Sequence, residues 1–296
     1  MRILVTGKNG QLGRSIYKLI NTEVKADNNL SSSKFIFVGR EELDLSNNSS
    51  IINYFDNHDK FDIIINCAAY TAVDKAEEEQ ELANQINHLA VKQLASIANK
   101  QQARLIHIST DYVFDGENFK PYCEDDTTNP NGVYGITKLD GEKAMQEINP
   151  LNSIIIRTSW VYSSVGANFV KTMLRLGRER DSLGVIFDQV GTPTYARDLA
   201  KAILDILVNI KNEKVEIYNY SNEGVLSWYD FAKEIMRMAK IDCSINPIET
   251  SEYPTPAKRP HFSLLNKSKI KKEFNLTIPF WKDSLDECLK VMGERK

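Results

Sequence analysis

Apolar residues fall into two kinds of segment along this chain. The first kind is a short continuous run bounded by polar or turn residues, which predicts a buried strand, and it occurs at residues 3–5, 35–38, 62–66, 104–108, 154–156 and 215–220. The second kind repeats apolar residues at helical spacing, and it occurs at residues 15–20, 49–55, 77–100, 137–147 and 196–208. Strands and helices therefore alternate over the first half of the chain. This alternation predicts an α/β fold with a doubly wound parallel Rossmann sheet.

The pattern becomes less regular after residue 165. It predicts a strand at residues 185–187 and helices at residues 168–180, 227–239, 267–274 and 280–292. Ser227 and Asp230 have the spacing of a capping box, which marks the start of one of these helices. We therefore expect a smaller, mixed C-terminal substrate-binding part, made of residues 166–195 and 223–296. This part should pack as one body with a nucleotide-binding domain made of residues 1–165 and 196–222. Within the nucleotide-binding domain, the serine-rich stretch at 21–34 is expected to be a loop.

A glycine-rich turn joins the first predicted strand to the first predicted helix. Gly7, Gly10 and Gly13 occupy it with the spacing Gly-x-x-Gly-x-x-Gly. Glycines permit a tight turn and let backbone amides approach a pyrophosphate, whose negative charge then faces the helix N-terminus. Strand, glycine turn and helix are the first half of a dinucleotide-binding unit. We favour nucleotide binding over a plain turn for this reason.

Two further strand ends point to the cofactor. Arg40 follows the second strand, where an acidic residue would favour the ribose hydroxyl of NAD and a cation favours the 2′-phosphate of NADP. A solvated arginine is an equally good reading of this residue. Ala68 and Ala69 follow the third strand, and small side chains at a strand's carboxyl end let a cofactor lie against the backbone.

Tyr134 and Lys138 stand four residues apart at the start of a predicted helix. This spacing places both side chains on one face, one turn apart. A cation beside a phenol lowers its pKa from about 10, which suits a general acid. Such pairs are usually exposed and without function, so a second polar group must converge on them. Thr110 follows the fourth strand and is our candidate, whereas His107 within that strand is expected to be a core histidine.

Composition narrows the class of protein without identifying it. Hydrophobic residues make up 42% and charged residues 26% of the 296 residues, and the net charge is −3, so neither nucleic acid nor a membrane is an expected partner. The four scattered cysteines have no zinc spacing and are too few for a disulfide framework. The first residues do not resemble a signal peptide. We expect a cytoplasmic protein.

Several longer strings of residues give a resemblance that covers nearly the whole chain. The chain resembles the extended short-chain dehydrogenase/reductases and, within them, the family of dTDP-4-dehydrorhamnose reductases. The narrowest strings are Ala69-Tyr70-Thr71-Ala72-Val73-Asp74-Lys75-Ala76-Glu77 and Ser109-Thr110-Asp111-Tyr112-Val113-Phe114. Supporting strings are residues 7–13, 157–162 and 253–260, with Tyr134, Gly135 and Lys138.

The resemblance implies a reaction and a set of catalytic residues. NADPH, with NADH as the alternative, would deliver a hydride to C4 of dTDP-4-dehydro-L-rhamnose, giving dTDP-L-rhamnose for cell-surface carbohydrate such as the O-antigen of lipopolysaccharide. Tyr134 would protonate the new alkoxide, Thr110 would hydrogen-bond the carbonyl oxygen, and Lys138 would hold the nicotinamide ribose. Charge developing on oxygen is where preorganised donors act best.

Motif by motif, the resemblance and the glycine turn together give the binding residues. Thr110, Asp111 and Trp160 are the expected contacts with the nucleotide sugar, although a core role for Trp160 stays open. Arg259 is a weaker candidate for the substrate pyrophosphate. The expected cofactor-binding set is Gly7, Gly10, Gln11, Leu12, Gly13, Arg40, Asp44, Leu45, Ala68, Ala69, Tyr70, Tyr134 and Lys138.

One departure and two alternatives complete the expectations. Some members of the family dimerise through magnesium held partly by a glutamate, and Arg197 stands at that position here, so we expect no metal and leave monomer and homodimer both open. The first alternative is a reductase of another nucleotide-linked 4-keto sugar. The second is a non-catalytic NADP-binding subunit, such as one that regulates methionine adenosyltransferase. An intact Thr110, Tyr134 and Lys138 set argues against the latter.

Overall fold

The structure is a computed structural model that describes residues 1–22, 30 and 32–295, so most of the predicted loop at 21–34 lies outside the described residues. Strands are β1 Arg2–Thr6, β2 Lys34–Val38, β3 Ile63–Asn66, β4 Arg104–Thr110, β5 Ile154–Thr158, β6 Val161–Tyr162, β7 Ser182–Ile186, β8 Val190–Gly191, β9 Thr194–Tyr195, β10 Glu216–Tyr220, β11 Leu226–Ser227 and β12 Ser244–Ile248. Helices are α1 Gln11–Thr22, α2 Asn48–Asp56, α3 Val73–Ala76, α4 Gln80–Asn84, α5 Ala90–Gln101, α6 Val133–Ile148, α7 Phe169–Glu179, α8 Ala196–Ile206, α9 Trp228–Ala239, α10 Ser268–Phe274 and α11 Trp281–Val291.

Six strands form one parallel sheet in the order β10-β5-β4-β3-β1-β2. The strand order reverses between β1 and β3, which is the topological switch point at which open α/β sheets bind ligands. Each strand is a short, mostly apolar run, because helices cover both faces of the sheet. The predicted doubly wound parallel fold is confirmed.

Two apolar layers cover the sheet. Residues of α1, α8 and α10 pack on one face, where Ile3 and Val5 contribute from β1. Residues of α2, α5 and α6 pack on the other face, where Leu4 and Ile64 contribute from β1 and β3. Alternate residues of a strand point to opposite faces, so a continuous apolar run supplies both layers at once.

A third apolar cluster lies in the C-terminal part, around Phe231, Trp281 and Leu285. Three strand pairs accompany it: β6 with β9, β7 with β12, and β8 with β11. The predicted capping box is confirmed, because Ser227 and Asp230 exchange side-chain to backbone hydrogen bonds at the start of α9. Helix α10 lies on the large sheet rather than on this cluster, since its Ile270 belongs to the first apolar layer.

Three helices differ from the sequence prediction, and the first of them, α1, begins at Gln11 rather than at 15. The predicted helix at 77–100 is divided into α4, a π-helical turn at Gln85–Leu89 and α5. Asn87 in that turn exchanges two hydrogen bonds with the backbone of Tyr70, of 2.9 and 3.1 Å, and this pairing accounts for the widened turn. Helix α6 begins at Val133 and not at 137, because the Glu77 carboxylate accepts the Val133 amide hydrogen at 2.9 Å and so caps the first turn.

A buried ion pair fixes α6 to β5. The Arg157 guanidinium makes two-pronged contact with the Glu142 carboxylate, with a shortest distance of 2.7 Å, and both side chains are almost fully buried. Arg157 also donates to the backbone oxygen of Glu124 at 3.1 Å and lies over the ring of Phe114. This pair holds the helix that carries Tyr134 at a fixed position against the sheet.

Within the described ranges, every helix is too short or too polar to cross a membrane.

Candidate active site

A cavity of about 770 Å³ opens at the carboxyl ends of β1, β3, β4 and β5. Its volume lies within the usual range for small-molecule sites. It brings together residues that are far apart in sequence, from the glycine turn, the end of β2, the end of β4 and the start of α6. Of the predicted site residues it is lined by Gly7, Gly10, Gln11, Leu12, Arg40, Asp44, Leu45, Ala68, Ala69, Thr110, Asp111, Tyr134, Lys138 and Trp160. Gly13 and Tyr70 lie outside the lining.

The glycine turn has the backbone shape that a phosphate needs. Gly7 adopts a φ of +69°, and its carbonyl accepts the Gly10 amide hydrogen at 2.9 Å. A Cβ atom at Gly13 would collide with the Gly7 carbonyl oxygen, so this third glycine allows α1 to pack closely behind the turn. Helix α1 begins at Gln11, directly after the turn, and its N-terminus faces the cavity. These residues fit a dinucleotide.

Gln11 spans the cavity to a segment about 150 residues later. Its amide nitrogen donates to the Val161 carbonyl at 3.2 Å, and its amide oxygen accepts hydrogens from Ser163 and Asn168 at 2.9 and 3.0 Å. The side chain therefore joins the glycine turn to residues 161–168. These contacts of Gln11 could not be predicted, because polar loop residues show no periodic pattern in the sequence.

Arg40 stands at the rim of the cavity after β2. Its side chain is 76% exposed, and its Nε lies 3.5 Å from the Asp44 carboxylate. Asp44 also accepts hydrogens from the backbone and hydroxyl of Ser46 at 2.9 and 2.7 Å. Asp44 therefore engages the guanidinium at Nε, and its terminal N–H groups can donate to the oxygens of a phosphate.

Behind the cavity, the side chain of Asn87 holds the backbone of the loop that follows β3. Asn87 pairs with both backbone groups of Tyr70 and donates to the Thr137 hydroxyl of α6 at 3.3 Å. The Tyr70 phenol donates to Glu79 at 2.7 Å. The backbone of this loop, rather than the Tyr70 side chain, therefore meets the cavity through Ala68 and Ala69.

Tyr134 and Lys138 both line the cavity one helical turn apart, as their spacing predicts. Burial raises the pKa of Tyr134 to about 12; a hydrogen bond with Thr110 opposes this rise and the nearby Asp111 carboxylate adds to it. The predicted lowering of the Tyr134 pKa by Lys138 is wrong for this structure. The reason is that the Lys138 amine turns toward β4, where it donates to the Ile108 carbonyl at 2.6 Å.

Lys138 is one of the most deeply buried side chains of the protein, with 1% of its surface exposed. Burial lowers its pKa to about 8, and the Glu142 carboxylate opposes the shift. Its Nζ also lies 3.2 Å from Nε2 of His107. His107 is fully buried, as expected of a core histidine, but it contacts the candidate catalytic amine directly.

Thr110 and Asp111 meet at the end of β4. The Thr110 hydroxyl donates its hydrogen to the Asp111 carboxylate at 2.9 Å and accepts the Tyr112 amide hydrogen at 3.3 Å. Burial raises the pKa of Asp111 to about 6, against the opposing effect of the Thr110 hydrogen bond. A hydroxyl has one hydrogen to donate. Thr110 must therefore turn from Asp111 before it can donate to a carbonyl oxygen in the cavity.

Trp160 closes one side of the cavity. It adopts a φ of +47°, which is unusual for a large side chain, and its ring stacks on Trp228 with centroids 3.6 Å apart. Trp228 was missed by the sequence reasoning, because a tryptophan beginning a C-terminal helix has no motif to mark it. Of the two rings only that of Trp160 is among the residues lining the cavity, where it offers a flat apolar wall to a sugar or base.

Two predicted polar positions lie outside the cavity lining. Arg259 pairs with Asp74 at 2.7 Å and donates to the Ala257 carbonyl at 3.1 Å. Arg197, which stands where some members of the family carry a metal-binding glutamate, pairs with Glu287 at 3.0 Å. Over residues 1–22, 30 and 32–295, no group of three histidine, cysteine or carboxylate side chains is arranged to hold a metal ion.

Comparison with known proteins finds relatives that all point to one family. The family model described as RmlD substrate binding domain matches residues 1–293. A protein of Aggregatibacter actinomycetemcomitans named dTDP-4-dehydrorhamnose reductase is 41% identical over 293 residues, 96% of this chain and 97% of that protein. One of the same name from Escherichia coli K12 is 45% identical over 240 residues, 78% and 80% of the two chains.

Solved structures give the same result for the fold. A dTDP-4-dehydrorhamnose reductase from Clostridium acetobutylicum has a TM-score of 0.91 and 41% identity, and the match covers 99% of this chain and 100% of that one. A dTDP-4-dehydrorhamnose reductase from Bacillus anthracis, in complex with NADP, has a TM-score of 0.88 and 35% identity over 98% and 99% of the two chains.

Proposed function

The chain belongs to the RmlD substrate binding domain family, and from this membership we propose that it reduces the C4 ketone of dTDP-4-dehydro-L-rhamnose to dTDP-L-rhamnose with NAD(P)H. The observation that carries the proposal is the meeting of Thr110, Tyr134 and Lys138 in the cavity that also contains the glycine turn. Two relatives that match nearly the whole chain, each 41% identical to it, are named dTDP-4-dehydrorhamnose reductase. When bound, the reduced nicotinamide supplies the hydride to the ketone carbon.

Tyr134 is the proton donor in this reaction. Its raised pKa of about 12 keeps the phenol protonated at neutral pH, so a hydrogen is available for the oxygen that becomes an alkoxide. A phenol that were already ionised could not serve. Thr110 turns from Asp111 to donate to the same oxygen, and two donors aimed at one developing charge stabilise it more than the neutral ketone.

Lys138 and the glycine turn hold the cofactor. We assign Lys138 to the nicotinamide ribose, and the backbone of residues 7–13 at the start of α1 to the pyrophosphate. Ala68 and Ala69 offer a flat backbone surface, and Asp44 and Leu45 line the adenosine side. The complex of the Bacillus anthracis relative with NADP supports a cofactor that carries the 2′-phosphate. Arg40 is the candidate partner of that phosphate.

Substitution Arg40→Ala should raise the Kd for NADPH about 10-fold, because one charge-assisted hydrogen bond to the 2′-phosphate is lost. NADH lacks that phosphate, so its Kd should change less than about 2-fold. The measurement is a fluorescence titration of both cofactors. Arg14→Ala, which removes an exposed cation from α1 outside the cavity, is the control. An equal loss for both cofactors would remove Arg40 from the phosphate site.

On the substrate side we assign Asp111 and Trp160 to the nucleotide sugar. We also propose the division into a cofactor domain of residues 1–165 and 196–222 and a substrate domain of residues 166–195 and 223–296, with α10 packing on the cofactor domain. The separate apolar cluster around Phe231 supports it. We propose that the reaction takes place in the cytoplasm; the unpaired thiols of buried Cys243 and Cys288 support this, because cysteines stay reduced there.

The test follows NADPH absorbance after adding dTDP-4-dehydrorhamnose, made in situ from dTDP-glucose by the two preceding enzymes. We expect oxidation of NADPH and dTDP-L-rhamnose as the product by NMR. If NADPH were oxidised but the product were the other C4 epimer, the roles assigned to the residues would stand and the assignment of the sugar would be wrong. Tight NADPH binding without oxidation would favour the non-catalytic subunit instead.

A further inference from the structure

Three polar side chains form a row across the sheet beneath Lys138. Thr6 of β1, Asn66 of β3 and His107 of β4 are direct register partners on adjacent strands. All three are at most 2% exposed, on the face that Leu4 and Ile64 otherwise make apolar. Polar groups buried in such a layer are costly unless hydrogen-bonded. The proposed reaction uses none of the three side chains.

A backbone amide sets the direction of the hydrogen bonds in this row. The Ala68 N–H donates to the Thr6 hydroxyl oxygen at 3.2 Å. The Thr6 hydrogen then goes to the Asn66 side-chain oxygen, 2.6 Å away, a distance typical of O–H···O rather than N–H···O bonds. Asn66 must therefore present its NH₂ group to Nδ1 of His107, which lies 3.1 Å away.

The tautomer of His107 follows from this direction. Nδ1 accepts from Asn66, so the single ring hydrogen of a neutral imidazole is on Nε2. Burial, and secondarily the nearby Lys138, hold the pKa of His107 well below its usual value, so the ring is neutral. Its Nε2 hydrogen points at the Lys138 amine 3.2 Å away, and the amine in turn donates to the Ile108 carbonyl at 2.6 Å.

We propose that His107 is a positioning residue that acts through Lys138 by setting the proton affinity of its amine. The Ile108 carbonyl holds the amine against β4, and the Nε2 hydrogen of His107 can be accepted only by the neutral amine, because an ammonium has no lone pair. The row from Ala68 through Thr6 and Asn66 fixes the ring in this tautomer. The proposal rests on the assigned role of Lys138 in the reductase. A donor aimed at the amine favours its neutral form, which agrees with the lowered pKa of Lys138, about 8.

The other titratable or charged groups around the Lys138 amine do not form hydrogen bonds with it. From α6, Tyr134 lies one turn before Lys138 and the Glu142 carboxylate lies one turn after it. Asp111 stands at the end of β4, and Arg157 of β5 neutralises Glu142. Among the described residues, only His107 and the Ile108 carbonyl lie within hydrogen-bond distance of Nζ. The row therefore links backbone at the cofactor cavity to the catalytic amine.

The first test reads the tautomer directly in the free protein and does not depend on turnover. Long-range ¹⁵N–¹H NMR of the full chain at neutral pH should show one neutral histidine with its hydrogen on Nε2. That signal should vanish in His107→Gln and persist in His58→Gln, which removes an exposed histidine. A hydrogen on Nδ1, or a charged ring, would overturn the proposal even if the protein is an active reductase.

The second test uses the pH dependence of kcat/KM. In His107→Leu the donor is absent, so the Lys138 ammonium should persist to higher pH, and the alkaline limb should move up by about 0.5–1 pH unit, the worth of one hydrogen bond. His107→Gln keeps an N–H at the end of a similar side chain and should restore the limb to within about 0.3 unit. Equal profiles for both variants and the parent would refute the role.

Discussion

Tyr134→Phe is expected to lower kcat by about 10²–10⁴-fold, the usual contribution of a positioned general acid. The substitution removes the phenol hydrogen and leaves the ring, so the edge-to-face contact with Tyr112 at 5.5 Å remains. The new alkoxide would then be protonated only by water reaching the cavity. Because the hydroxyl is not assigned to the cofactor pyrophosphate, the Kd for NADPH should change by less than about 3-fold, since at most one weak hydrogen bond is lost.

The measurement is steady-state NADPH oxidation at saturating substrate, paired with a fluorescence titration of NADPH. Tyr17→Phe removes an exposed phenol from α1 and should behave as the parent protein. A Tyr134→Phe variant that turns over at the parent rate would show that another group donates the proton. A variant that has lost NADPH binding as well would show that the phenol holds the cofactor.

Glu142→Gln is expected to lower the free energy of unfolding by about 3–5 kcal/mol, the cost of removing one partner of a buried ion pair. The new side chain has nearly the same volume, so packing is kept. The Arg157 guanidinium cannot lose its proton, and it would remain charged in an apolar layer with 2% of its surface exposed. Urea unfolding followed by circular dichroism measures the change.

Two variants separate the charge effect from other causes. Glu147→Gln makes the same chemical change on an exposed position of α6 and should stay within about 0.5 kcal/mol of the parent. The double change Glu142→Leu with Arg157→Met removes both charges and should recover most of the loss, because neither charge is left unpaired. If the double variant were as unstable as Glu142→Gln, packing rather than charge would explain the loss.

The fold was predictable because its elements are short and strongly patterned. The run at 35–38 predicts a strand that the structure places at Lys34–Val38, and the capping box at Ser227 is present as predicted. The spacing of Tyr134 and Lys138 likewise predicts a shared helix face, and both side chains line the cavity. These are local signals, which a few neighbouring residues determine.

The remaining features depend on contacts between distant residues. The pKa of Tyr134 follows from burial by several elements, so the presence of a lysine four residues away predicts the wrong direction. The hydrogen bond that the Ser163 hydroxyl donates to the Gln11 side chain joins residues 152 positions apart. The π-helical turn at Asn87 arises from its pairing with Tyr70, and no periodicity in the sequence marks it.

The cap on α6 has a consequence for how the protein folds. The first turn of α6, which carries Tyr134, is closed by the carboxylate of Glu77, a residue 56 positions earlier in the chain. Gly132 permits this approach, because a Cβ there would lie 2.7 Å from the carboxylate oxygen. Contacts of such long separation must await closure of the intervening chain. The pairings within the sheet join residues equally far apart, as Ile3 and Ile63 are, so the first turn of α6 should be completed in the same cooperative step as the sheet rather than ahead of it.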